Sequence, residues 1–204
     1  GDGFALAAVV NDAPTDTLEL LAPTFPNARA QYAAGWSVID IAKDPRALAL
    51  SPDNRWGIAI SGSSYLLMRI HDPGNVDFSV FERQIIDADL SNLVAYLLLD
   101  DEVQVAPLEQ VTALSAERTL ALDGNPLHIA VNGRATAGVV VVDENRLVFF
   151  DPATMGATGE FELNGEPITE VEYLAAEAGE LLLVTQEGGR AIRMLDARDP
   201  QNVV

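Results

Sequence analysis

The chain has no cysteine, so it can form no disulfide, no thiolate metal site and no cysteine nucleophile. Lysine is almost absent: Lys43 stands alone beside eleven arginines, while 31 acidic residues bring the formal charge to −19. A surface of that sign repels phosphate backbones, because nucleic-acid binding rests on clustered Lys and Arg, so DNA and RNA are disfavoured as partners. The two histidines, His71 and His128, are too few for a multi-histidine metal site or a triad with a supporting second histidine. No apolar run is long enough to span a bilayer. Gly1-Asp2-Gly3 lacks the basic start of a signal peptide, so an exported protein would have shed its signal already. There is no glycine-rich phosphate cradle opening a helix and no Gly-x-Ser-x-Gly elbow, which closes two further routes to catalysis.

What the chain does contain is repetition. Ala47–Asp72, Leu127–Asp151 and Ile168–Asp196 each run through an apolar strand, a polar turn and a second apolar strand, with Asp-Pro close behind. Short runs of Val, Leu, Ile and Ala recur along the whole length, and helical periodicity is sustained nowhere. The fold class is therefore all-β, in one domain over residues 1–204. Strands are expected at Phe4–Val10, Thr17–Ala22, Ser37–Ile41, Ala47–Leu50, Trp56–Ser61, Tyr65–Ile70, Phe78–Ile85, Leu93–Leu99, Glu102–Pro107, Arg118–Leu122, Leu127–Val131, Gly138–Val142, Leu147–Phe150, Gly159–Leu163, Ile168–Leu174, Leu181–Thr185 and Ala191–Leu195. Asn27–Gly35 is the one short helical candidate, and Leu108–Glu117 reads equally as helix or strand. The turns Ser51–Arg55, Asp143–Arg146 and Glu187–Arg190 sit at equivalent places and carry the Pro, Asn, Asp and Gly that chain reversals need.

The ends of the second hairpin strands, with Pro23 as an earlier member, fall at Pro23, Asp72, Pro107, Asp151 and Asp196, at intervals of 49, 35, 44 and 45 residues. Those intervals bracket the roughly 40 to 50 residues of a four-stranded propeller blade. In such a repeat no unit buries its own apolar face, so neighbours must stack. The expected architecture is a β-propeller of about five four-stranded blades, closed or an open arc. The first unit reads as lacking an inner strand and the last as lacking an outer one. Strands from the two ends could complete one blade, which would remove an exposed edge. A fragment of a longer propeller, or an arc that pairs with another chain through its terminal blades, reads the same way.

The phrases Pro45–Gly62 (PRALALSPDNRWGIAISG), Val142–Asp151 (VDENRLVFFD) and Met194–Val203 (MLDARDPQNV) resemble the YVTN-type and LVIVD-type repeats of bacterial β-propellers, and their cadence is similar to that of Trp-Asp-repeat propellers. The resemblance covers three of five units. The Trp-Asp dipeptide and its Gly-His partner are missing from every unit, and Asp87–Leu122 matches poorly. What the resemblance implies is a rigid disc with loops at each face, a scaffold that hosts many functions.

Individual residues point mostly to structure. Each histidine reads as a strand residue with one hydrogen bond, Trp36 and Trp56 as packing residues, and the recurring Asp-Pro as strand punctuation. Acidic pairs occur at Asp12 with Asp16, Asp87 with Asp89, Asp100-Asp101-Glu102, Asp143-Glu144 and Asp196 with Asp199. Solvated loop charge is the favoured reading of all of them. Calcium is the one cofactor they could hold, with Asp100, Asp101, Asp143 and Glu144 as the weak metal-site candidates, because carboxylates close together on a loop can converge on a hard cation. None completes an Asp-x-Asp-x-Asp-Gly loop.

Two functions remain. The leading one is a non-catalytic, cofactor-free module, secreted or periplasmic, that presents a rigid loop face to a protein or polymer. The alternative is a propeller hydrolase or calcium-dependent enzyme with acids gathered at the central channel. No catalytic residue can be named from the sequence.

Overall fold

A computed structural model of the chain describes residues 6–10, 17–21, 36–40, 45–53, 55–69, 72–80, 83–108, 115–176, 179–188, 192–199 and 203. The described residues hold eighteen β-strands and no helix. The strands form five antiparallel meanders, each taking consecutive strands in order. The first sheet is β1 (Leu6–Val10), β2 (Thr17–Leu21) and β3 (Trp36–Asp40); the second is β4 (Pro45–Leu50), β5 (Trp56–Ser61), β6 (Ser64–Arg69) and β7 (Asp72–Val80). The third is β8 (Asp87–Leu90), β9 (Val94–Leu98), β10 (Glu102–Pro107) and β11 (Ser115–Ala121). The fourth is β12 (Pro126–Val131), β13 (Gly138–Val142), β14 (Arg146–Asp151) and β15 (Gly156–Glu162), and the fifth is β16 (Ile168–Ala176), β17 (Gly179–Gln186) and β18 (Arg193–Asp196).

The sheets stack face to face, and this is why β9 and β13 are apolar at every position rather than at alternate ones. In β9, Ala95 and Leu97 turn toward the second sheet and join Ile58, Ile60 and Leu67 there. Tyr96 and Leu98, of opposite parity, turn toward the fourth sheet and meet Val140, Val142 and Phe150. In β13 the remaining residues, Val139 and Val141, face the fifth sheet and pack on Leu182, Val184 and Leu195. Three successive seams are thus filled by the two faces of the same strands, as expected of a repeat whose units cannot bury their own surfaces. Within the seam between the third and fourth sheets, Tyr96 and Phe150 meet as tilted rings with centroids 6.4 Å apart, an arrangement that adds to their burial.

The first strand of each sheet occupies the innermost position: β1 lies against β4, β4 against β8, β8 against β12 and β12 against β16. Among the described strands no comparable contact returns from β16 to β1.

Several expectations change. Among the described residues three sheets have the expected four strands, and the first and last have three. Where the first unit reads in sequence as lacking its inner strand, β1 itself takes the inner place beside β4 among the described strands. Phe78–Ile85 gives way to an earlier and longer strand, β7, which starts at Asp72 and carries Pro73 on a sheet edge beyond a register shift at Met68/Arg69. An edge at a bulge is where a missing N–H does least harm. The largest omission is β8, whose Asp-Ala-Asp-Leu sequence carries two residues depleted in strands. Asn27–Gly35 lies outside the described residues, and of Leu108–Glu117 the described residues are Leu108 and 115–117, the latter in β11.

Candidate functional site

The inner strands β4, β8, β12 and β16 surround a cavity of about 660 Å³. Its polar lining includes Asp87, Asp89, His128, Arg134, Glu170 and Glu172. At one end the strands leave the cavity through turns built on the same device. The buried Ser51, Ser91 and Asn132 end β4, β8 and β12, and each side chain accepts an N–H of its own turn. Ser51 Oγ takes Arg55 N at 3.2 Å and Trp56 N at 3.0 Å, Ser91 Oγ takes Val94 N at 3.2 Å, and Asn132 Oδ1 takes Thr136 N at 2.8 Å. These serve as local replacements for the ladder where it stops. Asn92 Oδ1 accepts the N–H of Asp53 at 3.0 Å, tying two neighbouring turns together.

The acids of β8 have a defined structural task. Ala88 and Leu90 enter the core shared with the second sheet, so alternation turns Asp87 and Asp89 toward the next inner strand. Ile129 N donates to Asp87 Oδ2 at 3.0 Å and Val131 N to Asp89 Oδ2 at 2.6 Å. The second oxygen of each carboxylate takes the following N–H of β8 itself, Ala88 N at 2.8 Å and Leu90 N at 2.7 Å. Carboxylates two residues apart stand about 6.7 Å apart along a strand, the same spacing as the alternate N–H groups of an edge. Side chains of one sheet thereby satisfy the inner edge of the next, which would otherwise present unpaired donors. The reading of this pair as solvated loop charge is replaced by a clasp between two sheets.

Burial pushes the Asp89 carboxyl up to about 7, with the charges of Asp87 and Glu172 adding to the rise and the two backbone N–H bonds opposing it. His128 Nδ1 lies 3.7 Å from Asp87 Oδ2, half-exposed in the cavity wall. The other histidine, His71, lies outside the described residues, as do Asp12 and Asp16.

The four metal-site candidates lie in two separate hairpin turns. Asp100 and Asp101, at the turn between β9 and β10, both accept hydrogen bonds from Arg83, whose Nη1 also reaches Glu102 Oε1 at 2.8 Å. The Arg83 guanidinium holds the Asp100 carboxyl below its usual range. Asp143 and Glu144 form the turn between β13 and β14, with φ of 50° and 71°, the left-handed pair that a tight hairpin requires. Asp143 Oδ1 accepts Asn125 N at 2.8 Å and Oδ2 accepts Arg146 Nη2 at 2.9 Å. Those contacts, the backbone bond first, hold its carboxyl low. Among the described residues no three His, Asp or Glu side chains are grouped as metal ligands. Two of the recurrent aspartates act as turn caps: Asp151 Oδ1 takes Ala153 N at 2.8 Å, and Asp196 Oδ1 takes Arg198 N at 3.2 Å. Trp56 is partly buried against the core, with Arg69 stacked 4.9 Å from the ring.

Sequence reasoning passed over Glu170 and Glu172. Their signal is the acid-x-acid alternation in β16, the same pattern that Asp87 and Asp89 form in β8.

No family model matches the chain, and no curated protein matches it in sequence. Solved structures do. The chain is similar to hydrazine synthase of Kuenenia stuttgartiensis over 91% of its length and 61% of that chain, at 14% identity and a TM-score of 0.61. It is similar to the Cps50 (Swd1) beta-propeller domain of Myceliophteria thermophila over 99% of its length and 67% of that chain, at 16% identity and a TM-score of 0.71. The chain thus spans about three fifths of the first neighbour and two thirds of the second. At these identities the likeness speaks for architecture alone, and that architecture, meander sheets stacked about inner strands, is the β-propeller fold.

Proposed function

We propose that the chain is a non-catalytic propeller module of about five blades that presents a rigid face of turns to a protein or polymer partner outside the cytoplasm, secreted or periplasmic. The phrases Pro45–Gly62, Val142–Asp151 and Met194–Val203, in three of the five units, support assigning it to the YVTN-type and LVIVD-type repeats. The observation that carries the proposal is the commitment of the carboxylates. Both oxygens of Asp87 and Asp89 already accept backbone N–H groups, and Asp100, Asp101 and Asp143 are engaged by arginines. A rigid ring of turns joined across neighbouring units, as Asp53 and Asn92 are, suits recognition more than turnover. The net charge of −19 argues against a nucleic-acid partner and for a neutral or basic one.

A second reading rests on one observation: a carboxyl pushed up to about 7 inside a cavity also lined by His128, Glu170 and Glu172 has the acidity of a general acid or base. That is the hydrolase or calcium-dependent alternative. A panel of lactones and esters, assayed with the wild-type chain and with Asp89→Asn, separates the two. The module reading expects no turnover that depends on Asp89. Turnover lost in the variant would replace it with the enzyme.

A further inference from the structure

The last sheet repeats half of a seam without its other half. Val171 and Tyr173 of β16 face the fourth sheet, with Leu182, Val184 and Leu195 beside them. Strand pairing puts the alternate residues on the opposite face: Glu172 stands opposite Leu183, Leu174 opposite Leu181, Met194 opposite Leu183 and Asp196 opposite Leu181. In β8 the residues of that parity are Asp87 and Asp89, which clasp β12; in β16 they are Glu170 and Glu172, which are exposed and meet no donor among the described residues. The same face is apolar beyond the acids. Four large hydrophobic side chains are exposed among the described residues, and Leu174 at 45% and Met194 at 65% lie on this face, with Ile192 at 61% just before β18. A contiguous apolar surface rimmed by polar groups marks a place where something binds. Among the described strands the edge of β18 has no partner, where three other sheets carry a fourth strand.

We infer that this face is a strand-docking site: Glu170 and Glu172 accept two alternate backbone N–H groups of an extended, cationic and apolar segment of another protein, while Leu174, Leu183 and Met194 cover its apolar side chains. The internal seam between β8 and β12 supplies the precedent for the clasp, and alternation along a strand supplies the matching spacing. Charge selects the partner. Two exposed carboxylates on a chain of −19 favour Lys and Arg flanking the apolar positions and repel a second copy of this chain. This face borders the cavity, whose lining includes Glu170, Glu172 and Leu174, and does not involve the turns, so the inference stands whether or not those turns recognise a ligand.

The absence of cysteine makes a site-specific footprint simple. Met194→Cys places the sole thiol of the protein on the face, and its rate of reaction with a maleimide reports cover. The expected result is the rate of an exposed thiol, slowed at least tenfold by a ten-residue peptide alternating valine and lysine. Glu170→Gln with Glu172→Gln should weaken that protection at least tenfold. The same peptide methylated at every backbone nitrogen should give none, because it keeps charge and side chains but has no N–H to donate. Ile192→Cys repeats the measurement should the first variant melt early. Slow labelling without peptide at every concentration would mean that the chain covers its own face. Labelling that slows as the protein is concentrated would mean a second copy does. Either result overturns the inference, as does equal protection by the N-methylated peptide or none by the unmodified one.

Discussion

At the scale of single residues, two side chains carry more than their neighbours suggest. Gly138 opens β13 directly under the Phe150 ring, and a Cβ placed there would overlap the ring atoms. Phe150 is itself buried in the seam between the third and fourth sheets, so it has nowhere to retreat. Gly138→Ala should therefore destabilise the fold by about 1–3 kcal/mol, the usual penalty of overpacking, measured as a lower midpoint of urea unfolding at unchanged slope. Asp89 makes a prediction in pH. Its folded carboxyl is raised to about 7 against about 3.9 for an unfolded aspartate. Between those values the folded chain holds a proton the unfolded chain has lost, so the stability from this group is fully present below about pH 4 and disappears as pH rises through about 7. Asp100, Asp143, Asp151 and Asp196 are held low and act the other way, losing their contribution as pH falls below the ordinary carboxylate range. The melting temperature should then peak near pH 5 and decline toward pH 8. Asp89→Asn should flatten that decline, and a decline unchanged in the variant would place its cause elsewhere.

At the scale of elements, the turns explain both what the sequence reveals and what it hides. The hairpin at Asp143-Glu144 is recognisable from its residue types, and the chain reverses there as expected. What sequence cannot reveal is that Asp143 also holds the preceding connection, receiving Asn125 N–H while Arg146 donates to the Asp123 carbonyl. That contact spans 18 residues and exists only because the strands pair. Asp143→Ala removes both contacts of an exposed carboxylate, whose contribution solvent screens, so a small drop in the midpoint of thermal or urea unfolding is expected. Strands such as Gly138–Val142 and Trp56–Ser61 are legible to the residue, because a strand buried on both faces is a continuous apolar run bounded by turn residues. Asp87–Leu90 is illegible for the converse reason. Its carboxylates look like loop charge until β12 is set beside it, and the clasp is a property of two strands 42 residues apart. The cavity follows the same rule: its wall is assembled from four inner strands, so acids that seem scattered along the chain gather only in three dimensions.

At the scale of the whole molecule, a net charge of −19 over 204 residues makes the compact state repel itself. Added salt shortens the range of that repulsion to about 8 Å at physiological strength, so raising sodium chloride from about 0.02 to 0.5 M should raise the melting temperature by about 2–4 °C, a range consistent with roughly 1 kcal/mol in a chain of this size. Exposed ion pairs such as those of Arg83 and Arg198 weaken over the same range, but each contributes little, and the sign of the net effect is set by the excess of acids. Calcium provides the decisive comparison. Screening depends on ionic strength alone, whereas a site that binds calcium in the folded state adds stability that grows with the logarithm of its concentration. Because no three acidic or histidine side chains are grouped as ligands among the described residues, calcium chloride and sodium chloride at matched ionic strength should give melting curves that superimpose. A rise with calcium beyond that of the sodium series would reveal a bound ion and shift the balance from the recognition module to the calcium-dependent enzyme.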